Sequence, residues 1–156
     1  AKFWRDGEGG PKDLTMARAY FKTACEGANQ TAIGACAEWG LLIVNGEGGE
    51  RDISRGKALI LKDCKATGTE ACLQFSFDLR KGEKIQKDLD LALDLAKGAC
   101  DRHVVLGGRG CALAADIILE IGPKTQDTMK NAMGFIVRGC DAGHTSSCDF
   151  IKQFKK

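Results

Sequence analysis

Apolar and small residues recur along the chain at helical spacing, in four segments that repeat the same order of positions. Each segment opens with a residue suited to cap a helix, because its short side-chain oxygen accepts an unpaired backbone N–H of the first turn. Apolar positions then follow three or four residues apart, which is one face of an α-helix. The capping positions are Asp13, Asp52, Asp88 and Thr128. We therefore expect four helices, near residues 13–26, 52–65, 88–101 and 127–141.

A column of small residues runs through the middle of these four helices, where a small side chain allows a second helix to approach closely. Its members are Ala17, Gly56, Ala92 and Ala132. Two adjacent apolar columns follow it and are expected to face inward. They consist of Tyr20, Leu59, Leu95 and Phe135, and of Phe21, Ile60, Ala96 and Ile136.

A second helical pattern with a small residue near its middle follows each of these helices. Its signatures are Trp39-Gly40, Phe75-Ser76 and Ala114-Ala115, and Ile151 marks the last copy. Glycine is expected to end these helices in the left-handed conformation, at Gly46, Gly82 and Gly122. Residues 2–7 are expected to be the tail of an earlier helix, so the array is predicted to start in the middle of a repeat.

Eight cysteines keep step with the helices and are the strongest chemical signal. They form four pairs separated by 11, 8, 11 and 8 positions: Cys25 and Cys36, Cys64 and Cys72, Cys100 and Cys111, Cys140 and Cys148. The leading members recur after 39, 36 and 40 residues, a period typical of helical-hairpin arrays. No pair has the close spacing of a zinc site or a C-x-x-C redox motif, so we expect no metal and no dithiol chemistry.

These patterns predict an all-α chain. Strand-like alternation is almost absent, and both prolines, Pro11 and Pro123, fall in loops between helices. We expect one domain over residues 1–156, an α/α solenoid of about four antiparallel helix-hairpin repeats, the first of them partial.

Composition and charge narrow the range of partners. The 156 residues carry 23 Lys and Arg against 21 Asp and Glu, and the net charge of +2 does not indicate a nucleic acid or an anionic membrane. The apolar runs are much shorter than the roughly 20 residues that a membrane-spanning helix needs. We expect no nucleic-acid partner, no membrane insertion and no cofactor.

The recurrent phrase A-C-x-x-G-x-x-x-x-C, followed by a small-residue helix, G-x-G-G and K-D, resembles Sel1-like repeats, which are relatives of the tetratricopeptide repeat. The best local matches are residues 46–49, 86–92 and 140–148. The resemblance covers nearly the whole chain. It is strongest to the cysteine-rich branch, which includes secreted helicobacter cysteine-rich proteins and the Sel1-repeat cytochrome c oxidase assembly factor of the mitochondrial intermembrane space.

Members of this branch bridge the two cysteines that flank the turn between successive helix pairs. The resemblance thus implies the bridges Cys25–Cys36, Cys64–Cys72, Cys100–Cys111 and Cys140–Cys148. A rival pairing joins the two ends of one antiparallel hairpin, as Cys36 to Cys64 would, and eight cysteines allow 105 connectivities in principle. The longer spacing of Cys25 and Cys36 predicts a protruding loop at residues 27–33.

A docking surface is expected on the helices that follow Cys36, Cys72 and Cys111, because such helices line the concave face in related solenoids. The exposed candidates are Glu38, Asn45, Gln74, Asp78, Asp116 and Glu120. They suggest an acidic groove for a peptide or a partner helix, and the alternative is an ordinary solvated face.

Two short motifs offer other chemistry. Ser54-Arg55-Gly56-Lys57 fits the S-x-x-K motif of penicillin-interacting serine enzymes, but no S-D-N or K-T-G accompanies it, and ordinary helix-start chemistry explains it. Residues 107–110 are either an anion-binding loop at a helix N-terminus or, by preference, a flexible insertion in a turn. His103 and His144 lie in turns and receive no ligand role.

The sequence therefore predicts a non-enzymatic protein–protein interaction module or adaptor in an oxidising compartment. That compartment is expected to be periplasmic or extracellular, or alternatively the mitochondrial intermembrane space. The alternatives are a respiratory-complex assembly factor, a bacterial immunity-type inhibitor and, less favoured, a β-lactam hydrolase.

Overall fold

The computed structural model describes residues 13–27, 32–102 and 106–154. Within these ranges the chain forms eight α-helices and no strand. The helices are α1 (Leu14–Glu26), α2 (Ala35–Asn45), α3 (Ile53–Cys64), α4 (Glu70–Lys81), α5 (Leu89–Arg102), α6 (Gly107–Ile121), α7 (Gln126–Asp141) and α8 (Thr145–Phe154). The predicted all-α class is confirmed. The four helices predicted from the capping positions match α1, α3, α5 and α7 to within one residue at each end. The helix tail predicted at residues 2–7 lies outside the described ranges.

Two compact units make up the chain, the first ending at Ala66 and the second beginning at Thr67. In the first unit, α2 packs against both α1 and α3. In the second unit, each helix from α4 to α8 packs against the next. The expectation of a single domain over residues 1–156 stays a prediction.

The small-residue column lies where helices cross, as predicted. A Cβ atom added to Gly56 would lie 2.6 Å from the carbonyl oxygen of Gly40, and one added to Gly40 would lie 2.6 Å from the carbonyl oxygen of Gly56. In the second unit, the Ser76 hydroxyl donates to the Ala92 carbonyl at 2.6 Å. Backbone therefore meets backbone where Gly40 faces Gly56, and a small polar side chain meets backbone where Ser76 faces Ala92, so both crossings need small residues.

Of the eight residues in the two apolar columns, four are buried, three are half-buried and one is exposed. Phe21 and Ile60 are buried, but Tyr20 is 48% exposed, so its inward placement was wrong. The described part of the chain buries the face of α1 that carries Ala17 and Phe21, and Tyr20 projects beside that face.

Three of the four predicted N-caps are confirmed. Asp13 and Asp52 each accept a backbone N–H three residues on, at 2.9 Å, and Asp88 does so at 3.0 Å. Thr128 is not a cap, because it lies within the first turn of α7: Thr125 has the extended backbone that a cap needs, and its Oγ1 accepts the Thr128 N–H at 3.3 Å.

The glycine ends follow a local rule that the prediction overlooked. Gly46 and Gly82 are left-handed, with φ of 71° and 70°, as expected. Gly122 has φ −78° and ψ 152°, so the left-handed prediction was wrong there. The following Pro123 restricts the residue before it to extended conformations, and this outweighs the usual preference of a C-terminal glycine.

Residues 107–110 are helical, so the flexible insertion was wrong. They form the first turn of α6, and Gly108 and Gly110 are buried. A Cβ at Gly110 would lie 2.6 Å from the Cys100 backbone nitrogen, and one at Gly108 would lie 2.8 Å from His144 Cβ. These glycines let α6 approach α5 and the start of α8, and that packing outweighs their poor helix propensity.

Candidate functional site

Disulfide bridges join the end of one helix to the start of the next. The structure contains Cys25–Cys36, Cys100–Cys111 and Cys140–Cys148, with Cα–Cα distances of 4.7, 4.6 and 4.6 Å. Cys64 and Cys72 are disulfide-bonded as well, and no described cysteine is free. The disulfide-stapled architecture is confirmed, and the rival pairing of Cys36 with Cys64 is wrong. Residues 28–31 of the predicted protruding loop lie outside the described ranges, while Ile33 is 77% exposed.

Two of the candidate docking residues are not exposed. Glu38 is 4% and Asp78 7% exposed, so their assignment to an exposed face was wrong. The second helices are buried on most sides, since eight of the 11 residues of α2 and seven of the 12 residues of α4 are buried. Asp78 Oδ1 accepts a hydrogen bond from Gln74 Nε2 at 3.1 Å, and Asp78 Oδ2 has no partner among the described residues. Asn45 is half-buried, and Gln74 is exposed.

Two other candidates belong to a cluster of ion pairs in which the charges balance. Arg80 contacts Asp116 at 3.2 Å and Glu120 at 2.9 Å, and Lys87 contacts Glu120 at 2.6 Å. Two hydrogen bonds, a stronger effect from Lys87 and a weaker one from Arg80, hold the pKa of Glu120 below its ordinary value of 4.5. With two acids facing two bases, these residues do not form an acidic surface.

Two clefts of the first unit meet at Arg55, and the sequence did not single them out. The Ser54 cleft, of about 450 Å³, is lined by Arg18, Ile43, Glu50, Arg51, Asp52, Ile53, Ser54 and Arg55. The Trp39 cleft, of about 650 Å³, is lined by Cys25, Glu26, Gly27, Trp39, Arg55, Ala58, Leu59 and Lys62. Together they form the Arg55 groove, which has α1 on one side, α3 on the other, and Trp39 and Ile43 of α2 between them.

The arginines of the groove have different local roles. Arg18 donates to the backbone carbonyls of Glu47 and Glu50, at 3.4 and 2.9 Å, and thereby holds the turn between α2 and α3. Arg51 Nε donates to the Val44 carbonyl at 2.8 Å and so satisfies a carbonyl at the end of α2. The Arg55 guanidinium lies over the Trp39 ring, 5.2 Å from its centre, and none of the described residues accepts a hydrogen bond from it.

The serine of the S-x-x-K motif lies at the edge of this groove. Ser54 is exposed in the first turn of α3 and lines the Ser54 cleft. Gly56 is committed to the crossing with Gly40, which accounts for a small residue at that position of the motif.

The histidine and metal assignments concern other parts of the chain. His144 Nδ1 hydrogen-bonds Ser147 Oγ at 2.9 Å at the start of α8, and His103 lies outside the described residues. Among the residues that the structure describes, no group of three or more His, Cys, Asp and Glu could hold a metal ion. In the same ranges no helix has both the length and the apolar character required to cross a membrane.

The first turn of α6 borders a third cleft, of about 360 Å³. Its lining includes Arg109 and His144, and Arg109 pairs with Glu70, with both carboxylate oxygens at 3.0 Å. The alternative of an anion site at residues 107–110 stays a hypothesis.

Comparison with known proteins reveals a likeness in fold. No protein-family model and no curated protein matches the sequence. The structure is similar to the crystal structure of a Sel1 repeat protein from Oxalobacter formigenes, with a TM-score of 0.70 and 18% sequence identity. The match covers 97% of this chain and 59% of the other, so this chain spans a little over half the length of that protein. The predicted Sel1-like repeat fold is thereby confirmed.

Proposed function

We propose that this chain is a non-enzymatic protein-interaction module that works in an oxidising compartment. The observation that carries the proposal is a Sel1-type helical-repeat fold whose helix ends are joined by disulfides. Stacked helix pairs offer an extended surface to a partner, and bridges that fix the end of one helix to the start of another reduce the ordering cost of binding. Disulfides persist in oxidising compartments, which supports a periplasmic, secreted or intermembrane-space location.

The mode of action in this proposal is recognition by a surface formed before binding. An adaptor, an assembly factor and an immunity-type inhibitor are three forms of this activity, and each places one partner on the repeat surface. Of the docking residues predicted from the sequence, Gln74, Asp116 and Glu120 remain at the surface and stay in the proposal. Asp78 leaves it, because a carboxylate that is 7% exposed has little surface to offer.

Peptide display tests the proposal directly. Random peptides selected on the immobilised, oxidised chain should converge on a related set, and its members should bind the chain in solution with micromolar Kd. The reduced and alkylated chain is the matched control, and it should lose this binding along with the fixed helix ends. If no peptide is enriched on the oxidised chain, the interaction-module proposal is wrong.

The β-lactam hydrolase alternative makes an opposite prediction at Ser54. A fluorescent penicillin incubated with stoichiometric protein should leave the chain unlabelled. Covalent labelling that disappears in Ser54→Ala would contradict the non-enzymatic proposal, because it would identify Ser54 as a nucleophile.

A further inference from the structure

The Arg55 groove carries more positive than negative charge. Its cations are Arg18, Arg51, Arg55 and Lys62, and its acids are Glu26, Glu50 and Asp52. Asp52 accepts the Arg55 backbone N–H, and Arg18 and Arg51 donate to backbone carbonyls, but these contacts leave each side chain its charge, so four cations face three acids. The groove is therefore complementary to a ligand of modest negative charge.

Two of the cations have donors that the protein itself does not use. Arg55 and Lys62 are both exposed, and no described residue pairs with either side chain through a hydrogen bond or an ion pair. A guanidinium has five N–H donors and an ammonium three. Because the Arg55 guanidinium is stacked on Trp39, less of its side-chain freedom remains to be lost when it binds a carboxylate.

The spacing of these two cations fits an extended peptide. Arg55 and Lys62 are seven residues apart on α3, which places them on one face and about 10 Å apart at 1.5 Å per residue. A polyproline II segment has three residues per turn and a rise of 3.1 Å, so its residues i and i+3 also share a face and lie about 9 Å apart. Acidic residues at i and i+3 of such a segment would meet Lys62 and Arg55 in turn.

Apolar surface lies between the two cations. The lining of the Trp39 cleft includes Trp39 itself, which is only 5% exposed under the Arg55 guanidinium. Ala58 and Leu59 also line the cleft, and both lie between Arg55 and Lys62 along the same face of α3. An apolar side chain between the two acids would therefore contact them. This surface favours a peptide over inorganic phosphate, and the carboxylates of Glu26 and Glu50 disfavour a nucleic acid, which carries a negative charge at every residue.

We propose that the Arg55 groove binds an extended segment of a partner protein that carries acidic side chains at positions i and i+3 with an apolar residue between them. The inference rests on the proposed function, since it names the site and the chemistry of the partner for the same interaction module.

The test uses the peptide Ala-Glu-Pro-Leu-Glu-Pro-Ala, with fluorescein on its N-terminus and an amidated C-terminus, and a matched peptide with Gln in place of both Glu. The Glu peptide should bind the oxidised chain at least about tenfold more tightly than the Gln peptide, because hydrogen bonds to charged groups are the strong ones. Arg55→Gln and Lys62→Gln should each weaken binding of the Glu peptide by about tenfold. Binding should also weaken as salt is raised.

Lys22→Gln is the matched control. It removes one exposed cation from α1 outside both clefts and should leave binding of the Glu peptide unchanged. Unchanged urea midpoints for all three variants would show that they remain folded. Equal binding of the Glu and Gln peptides, or equal weakening by Lys22→Gln and Arg55→Gln, would overturn the proposal. Competition by inorganic phosphate as effective as that by the Glu peptide would overturn it too, since the site would then recognise any anion.

Peptide display separates this inference from the proposed function. Enriched peptides that lack the spaced acids, or that bind Arg55→Gln as well as the natural chain, would refute the Arg55 groove and leave the interaction module standing. If no peptide is enriched, both proposals fail.

Discussion

Gly56→Ala should destabilise the protein, although alanine is the better helix former. In a helix interior, replacing glycine by alanine is worth about 1 kcal/mol of intrinsic propensity. The new methyl group, however, would lie 2.6 Å from the Gly40 carbonyl oxygen, 2.6 Å from Val44 Cγ2 and 3.0 Å from the Val44 backbone nitrogen. Two of these atoms belong to the backbone of α2 and cannot rotate away, so α2 and α3 must separate.

The expected magnitude follows from the two opposing effects. Overpacking typically costs about 1–3 kcal/mol, and a clash with backbone belongs at the upper end of that range. After the propensity gain is subtracted, we expect a net loss of about 1–2 kcal/mol in the free energy of unfolding. Urea denaturation in non-reducing buffer measures it, with Trp39 fluorescence as a probe because this buried side chain belongs to α2.

Gly134→Ala is the control with the same chemical change. Gly134 is in the interior of α7, and a Cβ atom there would have nothing within 4 Å. This variant should gain about 0.5–1 kcal/mol, as expected for glycine to alanine at a compatible position. If Gly56→Ala matches or exceeds the natural chain in stability, the account of the α2 and α3 crossing is wrong.

Three other perturbations test separate contacts. Asp63→Ala should lower the free energy of unfolding, measured in urea, by about 1 kcal/mol. Asp63 Oδ2 accepts the Ala37 N–H at 3.1 Å and so caps α2, because Gly34 has no side chain to do it; unchanged stability would refute this role. The double variant Cys140→Ser, Cys148→Ser should lose about 2.5 kcal/mol of unfolding free energy, which is the chain-entropy value for so small a loop. Mass spectrometry of the unreduced natural chain should find no free thiol, and four or more free thiols would contradict the bridges. Glu120→Gln should slightly destabilise the chain at neutral pH. The folded pKa of Glu120 lies below 4.5, so its ion pairs stabilise the fold above that pH and are lost as the pH falls through the folded pKa. The stabilities of Glu120→Gln and the natural chain should therefore converge in acid, and a pH-independent difference would argue against ion pairing.

Local chemistry made much of the fold readable from the sequence. Asp13, Asp52 and Asp88 cap their helices with their own side chains, three residues from the N–H groups that they accept. The small-residue column was readable because helices approach closely at Gly56 and at Ala92. The caps depend on residues three apart, and the crossings show in the sequence because a small residue recurs at the same place in each repeat.

Features set by tertiary contacts were harder to predict. Gly108 and Gly110 have the propensity of a turn, and they are helical because α5 and the start of α8 pack closely against them. Asp78 has the polarity of a surface residue, and its burial results from its position on a helix that is buried on most sides.

The candidate site was missed for a similar reason. The S-x-x-K motif drew attention to Ser54 and Lys57, whereas the structure brings Arg55, the residue between them, over the Trp39 ring of another helix. One signal was available in the sequence, because Arg55 and Lys62 share a face of α3 with Ala58 and Leu59.

The bridged cysteines also bear on how the protein is made. Cys25–Cys36, Cys100–Cys111 and Cys140–Cys148 each join cysteines that are consecutive along the chain. A ribosome adds about 5–20 residues per second, so the 27 residues between Cys36 and Cys64 take about 1–5 s to appear. Closing a loop of about ten residues takes well under a microsecond. Cys36 therefore meets Cys25 many times before any later thiol is synthesised, so the order of synthesis favours the observed pairing over a pairing of Cys36 with Cys64.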